Sequence, residues 1–155
     1  MSRRYPMTDN DRPWHPDEPK NRQAVGIIVR RGTEDFLLLR RSKHEDTKVG
    51  LWELPGGKVD PGQDEIEAAL TELREETGLI ATEDDLTLFA THSAKGKDYH
   101  IYSLRLTPEM AMPVSGWHPT LSIEHDRHMW VRFTGRWPTK VSHHLKAWRS
   151  IAIYD

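Results

Sequence analysis

The 155-residue sequence predicts an α/β domain built on a mixed β-sheet with helices on both faces. Three features carry that expectation. Two apolar runs, AVGIIV from Ala24 and FLLL from Phe36, flank a short polar turn; an amphipathic segment ends at Gly78; and further strand-like runs lead to a last helical stretch. Interleaved strands and helices indicate an α/β domain, whereas the early hairpin argues against a purely parallel sheet. The length suits one domain with its own core. A hydrophobic share of 36% against 30% charged residues fits a globular protein.

Residues 1 to 22 carry Pro6, Pro13, Pro16 and Pro19 among charged side chains and are expected to be extended or disordered, leaving 23 to 155 as the folded domain. Arg31 to Asp35 reads as the turn between the first two strands, residues 42 to 50 as polar loop, and LWELPGG as a stretch ending in a Pro-Gly-Gly turn. Next, Ile66, Ala69, Leu70 and Leu73 follow the i, i+3, i+4, i+7 spacing of a helix, with Gly78 suited to its C-terminal stop. Strands are expected at Leu86 to Thr91, His100 to Leu106 and Met129 to Phe133. Val141, Leu145, Trp148 and Ile151 supply the stripe of the last helix.

Composition excludes several function classes. The chain has no cysteine, which rules out disulfides, thiolate metal sites and a cysteine nucleophile. A formal net charge of -2 gives no broad basic field for nucleic acid. The N-terminal stretch has no apolar core of signal-peptide length and no run is long enough to span a bilayer, so a cytoplasmic monomer or homodimer is expected. The nine histidines, His143-His144 included, show no metal-binding spacing and read as scattered surface and core residues. Trp52, Trp130 and Trp148 read as core; Trp14 and Trp117 are freer to stack on a base.

Glu72, Glu75 and Glu76 lie within about 100° of one another on a helical wheel, centred more than about 90° from the apolar stripe. None has a Lys or Arg three or four positions away on the helix, so the acidic face lacks a local counter-charge. Clustered carboxylates are hard oxygen ligands that suit Mg²⁺, with Mn²⁺ as a substitute.

The run from Gly57 resembles the Nudix box, G-x5-E-x7-R-E-U-x-E-E-x-G-U with U a bulky aliphatic residue. Gly57, Glu72, Leu73, Glu75, Glu76, Gly78 and Leu79 match it, and LWELPGG precedes it. Gln63 and Thr71 stand where the pattern has glutamate and arginine. The resemblance implies the Nudix α/β/α sandwich and a metal site formed by Glu72, Glu75, Glu76 and Gly57. In the MutT-type branch a further metal-binding or base glutamate lies six residues before a tryptophan, a spacing that Glu124 and Trp130 reproduce. Glu75, Glu76 and Glu124 are thus the expected catalytic residues. Arg40 and Arg41 resemble the arginines with which this branch grips substrate phosphate, and strand alternation lets one of them, Arg41 by alignment to the box, face the site. Tyr99, slightly beyond the offset of the tyrosine used by diadenosine-polyphosphate hydrolases, is a third substrate-binding candidate.

The implied activity is Mg²⁺-dependent hydrolysis of a nucleoside triphosphate, or a related nucleoside diphosphate derivative, to a monophosphate plus pyrophosphate or the other phosphorylated part. The competing expectation, favoured by Gln63 and Thr71, is a non-catalytic Nudix domain that binds a nucleotide or a protein partner.

Overall fold

A computed structural model describes residues 22–45, 47–110 and 117–154, apart from the side chains of 148 and 150–154. The expectations for the N-terminal segment, for Trp14 and for the side chains of Trp148 and Ile151 therefore lie outside the described residues. Seven strands form one sheet: β1 Arg22–Arg31, β2 Asp35–Arg41, β3 Trp52–Glu53, β4 Gly56–Lys58, β5 Thr87–Ala94, β6 Lys97–Arg105 and β7 His125–Arg132. Helix α1 spans Glu65–Thr77 and α2 spans His143–Tyr154. Among the described residues no helix is long and apolar enough to cross a membrane.

The sheet is mixed, as expected. β1 runs parallel to β6 along its whole length and antiparallel to β2 and β4. Its side chains alternate between two cores. Val25, Ile27 and Val29, with Leu37 and Leu39 of β2, pack beneath Ala68, Ala69 and Leu73 of α1. Ile28, Phe36 and Leu38 face the other way, towards Val131, Phe133, Trp137 and Leu145 of α2. Covering both faces is what makes the two strands read as continuous apolar runs rather than alternating ones. The arrangement is an α/β/α sandwich.

Several boundaries differ from the sequence expectation. β5 and β6 grow towards each other and meet in a two-residue turn, where Lys95 and Gly96 have φ of 52° and 73°. Positive φ at both central positions matches the right-handed twist of the flanking strands. The last strand begins four residues earlier than expected, because β7 pairs with β2 as far as Arg41↔His125. Val141 lies outside α2; it forms an isolated parallel bridge with Trp52 and is buried there. Trp117 is not a free platform, since it is half-buried and packs edge-on against Trp130 at 6.4 Å between ring centroids.

The stretch read as a Pro-Gly-Gly turn is two short strands. β1 pairs with β2 only at Arg30↔Phe36 and Arg31↔Asp35; its other end pairs with β4 instead, at Ala24↔Lys58, Val25↔Gly57 and Gly26↔Gly56. β2 meanwhile leads away to β3 and β7. The two central strands thus diverge, and the chain through β3 and β4 crosses the opening. Glycine is needed for this: a Cβ on Gly56 would overlap the Val25 carbonyl oxygen and crowd Gly26 Cα. At Gly57 the nearest atoms a Cβ would meet are those of the Glu72 carboxyl, the far end of a flexible side chain. Gly56→Ala is therefore expected to cost about 1–3 kcal/mol in denaturant unfolding, and Gly57→Ala under about 1 kcal/mol. Equal losses would contradict this close approach of β4 to β1.

Candidate functional site

The opening between the diverging strands is a cavity of about 400 Å³. Its acidic wall presents Glu53, Glu72, Glu76 and Glu124; Arg41 lies beside them, and Gly56 and Gly57 form the floor. Tyr99, Lys48, Lys97, His143 and His144 also line the cavity.

α1 delivers two of these carboxyls. Asp64 caps its N-terminus, accepting the backbone N–H groups of Ile66 and Glu67 at 3.0 and 3.2 Å, and Gly78 ends it in the left-handed conformation with φ 82°. The face turned to the sheet comprises Ala68, Ala69, Leu73, Glu76 and Thr77, so it is rotated from the Ile66–Leu70 stripe towards the carboxylates. Small Ala68 and Ala69 allow that. The acidic face is consequently not a solvated one. Glu76 is only 2% exposed, and its Oε1 accepts the Gly56 N–H at 2.9 Å. Glu72 is half-buried against Gly57, while Glu75, at the far edge of the face, is exposed and is not on the cavity wall.

Crowded carboxyls with little water resist ionisation. Glu72 is pushed up to about 7, first by burial and then by Glu75, Glu124 and Asp60. Glu76 is pushed well above the usual carboxylate range, chiefly by burial, against the opposing effect of the Gly56 hydrogen bond. Glu124 stands exposed at the mouth, its carboxyl also raised by partial desolvation and by Glu45. Its backbone is fixed by Ser42, whose N–H donates to the Glu124 carbonyl at 2.8 Å and whose hydroxyl donates to the Ile123 carbonyl at 2.6 Å.

The arginine pair separates. Arg40 turns away to Asp126 at 2.8 Å and is not on the cavity wall. Arg41, displaced by a register shift between residues 40 and 41, enters the cavity. It donates to Glu45 at 2.9 Å, to the Thr47 carbonyl at 3.2 Å and to Glu53 at 3.5 Å. Gln63 and Thr71 lie off the cavity wall. The Gln63 amide oxygen accepts the Asp60 N–H at 3.1 Å, bracing the loop before α1, and Thr71 borders a separate groove on the outer side of that helix.

Three histidines that sequence alone scattered are gathered at one edge. Tyr99 stacks on His144 at 4.2 Å between centroids, and His143 lies at 4.0 Å from His144. Nδ1 of His92 lies 3.1 Å from Nδ1 of His144. Burial, His143 and the nearby Lys97 and Lys48 push His144 down to about 3, so its ring is neutral near pH 7. Gly26 makes room for Tyr99, whose hydroxyl occupies the place of the missing Cβ. Glu53, Lys48, Lys97, His143 and His144 were not singled out from the sequence; for the histidines, only the docking of α2 brings them to the cavity.

Among the described residues no three carboxyl or imidazole groups already converge as a metal cage. A magnesium ion does not require one, since it typically takes one or two carboxylates and completes its shell with water and substrate phosphate. The desolvated, mutually repelling oxygens of Glu72, Glu76 and Glu124 suit such a hard cation.

The sign of the pH effect follows from the raised carboxyls. Unfolded, they titrate near 4.5; folded, Glu72 titrates near 7 and Glu76 is held well above the usual carboxylate range. Their protonated forms favour folding fully below about pH 4.5, and that contribution is lost as pH rises through 7. Without divalent cation, Tm of the wild type relative to Glu72→Gln should fall between pH 5 and 8, and Mg²⁺ should restore it more at pH 8 than at pH 5. A relative Tm that rises over this range in chelator would contradict the assignment.

The NUDIX domain model matches residues 20–146. The CTP pyrophosphohydrolase of Escherichia coli (strain K12) is 30% identical over 109 residues, covering 70% of this chain and 73% of that protein. A putative 8-oxo-dGTP diphosphatase of Bacillus subtilis (strain 168) is 45% identical over 59 residues, covering 38% of this chain and 36% of that protein. Among solved structures, a MutT protein from Methanosarcina mazei Go1 superposes with a TM-score of 0.62 at 25% identity, covering 90% of this chain and 97% of that one.

Proposed function

Because the chain belongs to the Nudix family and is a Nudix hydrolase, we propose that it cleaves a phosphoanhydride bond of a nucleoside triphosphate, releasing a monophosphate and pyrophosphate with Mg²⁺ as cofactor. The observation that carries this reading is that one cavity is lined both by clustered carboxyls and by stacked rings. Glu72, Glu76 and Glu124 would hold the metal, with the exposed Glu75 assisting from the edge; such an ion would supply charge stabilisation to the phosphates and the leaving group.

The remaining chemistry belongs to the chain. Arg41 presents its planar guanidinium to phosphate oxygen, already oriented by three acceptors. Glu124, at the mouth with its carboxyl raised by partial desolvation and by Glu45, takes the proton as the water oxygen bonds to phosphorus. The anhydride bond breaks and its electron pair leaves on the departing phosphate. Tyr99, His144 and His143 supply flat faces for a base, and neutral imidazole nitrogens can donate or accept hydrogen bonds to its edge. Names among the relatives, CTP pyrophosphohydrolase and 8-oxo-dGTP diphosphatase, support a nucleotide of this class.

Gln63 and Thr71 favour the competing reading of a domain that binds without turnover. Their positions off the cavity wall support catalysis instead. The test is pyrophosphate release from a panel of ribo- and deoxyribonucleoside triphosphates with Mg²⁺, alongside Glu76→Gln. The amide preserves side-chain shape and can still accept from Gly56, so the fold should persist while kcat falls at least about tenfold to a hundredfold. Tight binding of nucleotide with no turnover on any member of the panel would establish the binding-only reading.

A further inference from the structure

His125 takes no part in the mechanism above, yet it is among the most deeply placed polar groups of the fold. It is 5% exposed, its Nε2 lies 2.9 Å from Oε2 of Glu53, and its Nδ1 is buried with no hydrogen-bond partner among the described residues. A carboxylate can only accept, so Nε2 carries the hydrogen of this contact. The same Glu53 oxygen accepts from Arg41 Nη1 at 3.5 Å. Three adjacent strands bring these residues together: Arg41 lies opposite His125 across β2 and β7, and Leu39, two residues before Arg41, lies opposite Glu53 across β2 and β3.

We propose that His125 is a positioning residue for substrate phosphate: it fixes Glu53, and Glu53 holds Arg41 with its guanidinium turned into the cavity. Arg41 has Glu45 and Thr47 on one side, both in the loop between β2 and β3, and Glu53 on the other. Without Glu53 the guanidinium would be drawn to the loop partners alone. Glu53 needs a second restraint because its carboxyl faces the cavity and could otherwise swing towards it. His125 supplies that restraint from the neighbouring strand β7. It reaches the substrate through two other side chains and touches none of the reacting atoms.

The inference rests on the phosphate-binding role proposed for Arg41, and the measurement is chosen so that it does not require turnover. Inorganic pyrophosphate is titrated calorimetrically in the presence of Mg²⁺ into wild type, His125→Leu, His125→Gln, Arg41→Ala and the double variant combining His125→Leu with Arg41→Ala, each checked for a cooperative thermal transition. His125→Leu should weaken binding about tenfold, as expected for loss of a hydrogen bond to a charged group. The double variant should bind no more weakly than Arg41→Ala. His125→Gln, whose amide nitrogen can occupy the position of Nε2, should bind within about twofold of wild type. On a triphosphate that the wild type hydrolyses, His125→Leu should raise KM with kcat changed by less than about threefold.

Additive losses in the double variant would overturn the proposal, as would a glutamine as weak as the leucine, a loss confined to kcat, or absence of pyrophosphate binding by the wild type. Should His125→Leu fail to fold, Glu53→Gln takes its place and must likewise be non-additive with Arg41→Ala. If the binding pattern holds while no nucleotide is turned over, the hydrolase reading fails and the positioning role of His125 stands.

Discussion

The hydrogen bond from the Gly56 N–H to the buried carboxyl of Glu76 is the contact on which the rest of the site depends. It joins the last turns of α1 to β4, and β4 in turn pairs with β1, the strand shared by both cores. A carboxyl 2% exposed to solvent is costly to ionise, and one backbone donor offsets only part of that cost. The chain therefore folds around a group whose charged form awaits further compensation. Glu72 and Glu124 are raised by burial too; Glu124 worsens the cost for both Glu72 and Glu76, and Glu72 for Glu76. An electrostatic deficit of this kind belongs to ligand binding rather than to folding.

The second organising feature is the divergence of β1 and β2. Had they paired along their full length, the sheet would have no opening and α1 would pack on a closed surface. Instead the β3 and β4 segments cross the gap, and Gly56 and Gly57 keep its floor free of side chains. The register shift at Arg40/Arg41 acts at the same place, sending Arg40 to Asp126 and Arg41 inward.

Much of the scaffold was legible because burial on both faces leaves a simple trace. AVGIIV and FLLL are unbroken apolar runs because both sides of each strand are covered, and the helix period of α1 stands out against its charged exterior. β3 and β4 left no such trace. Their ladder partners are backbone groups far along the chain, and a Pro-Gly-Gly sequence selected for close approach looks like one selected for turning. The wheel set Glu76 apart from the stripe of Ile66 and Leu70 without showing its burial, because two alanines let α1 turn Glu76 onto the sheet while Glu75 stays exposed. Glu72 and Gly57 could be read from the box, and Glu124 from its spacing to Trp130. The places of Glu53 and of the histidine edge in the cavity depend on cross-strand neighbours and helix docking, which no local window contains.

The bridge between Trp52 and Val141 has a bearing beyond packing. Trp52 donates to the Lys140 carbonyl, and Ser142 donates to the Trp52 carbonyl, both at 2.9 Å, so the start of α2 hangs from the strand that bears Glu53. Glu53, Gly56, Gly57, Glu72 and Glu76 come from residues 53 to 76, whereas His143 and His144 come from a separate stretch of chain that joins β3 through these backbone bonds. The main chain of one tryptophan thus couples the last helix to the strand that carries a cavity carboxyl, so a shift at either end of the join is felt at the other.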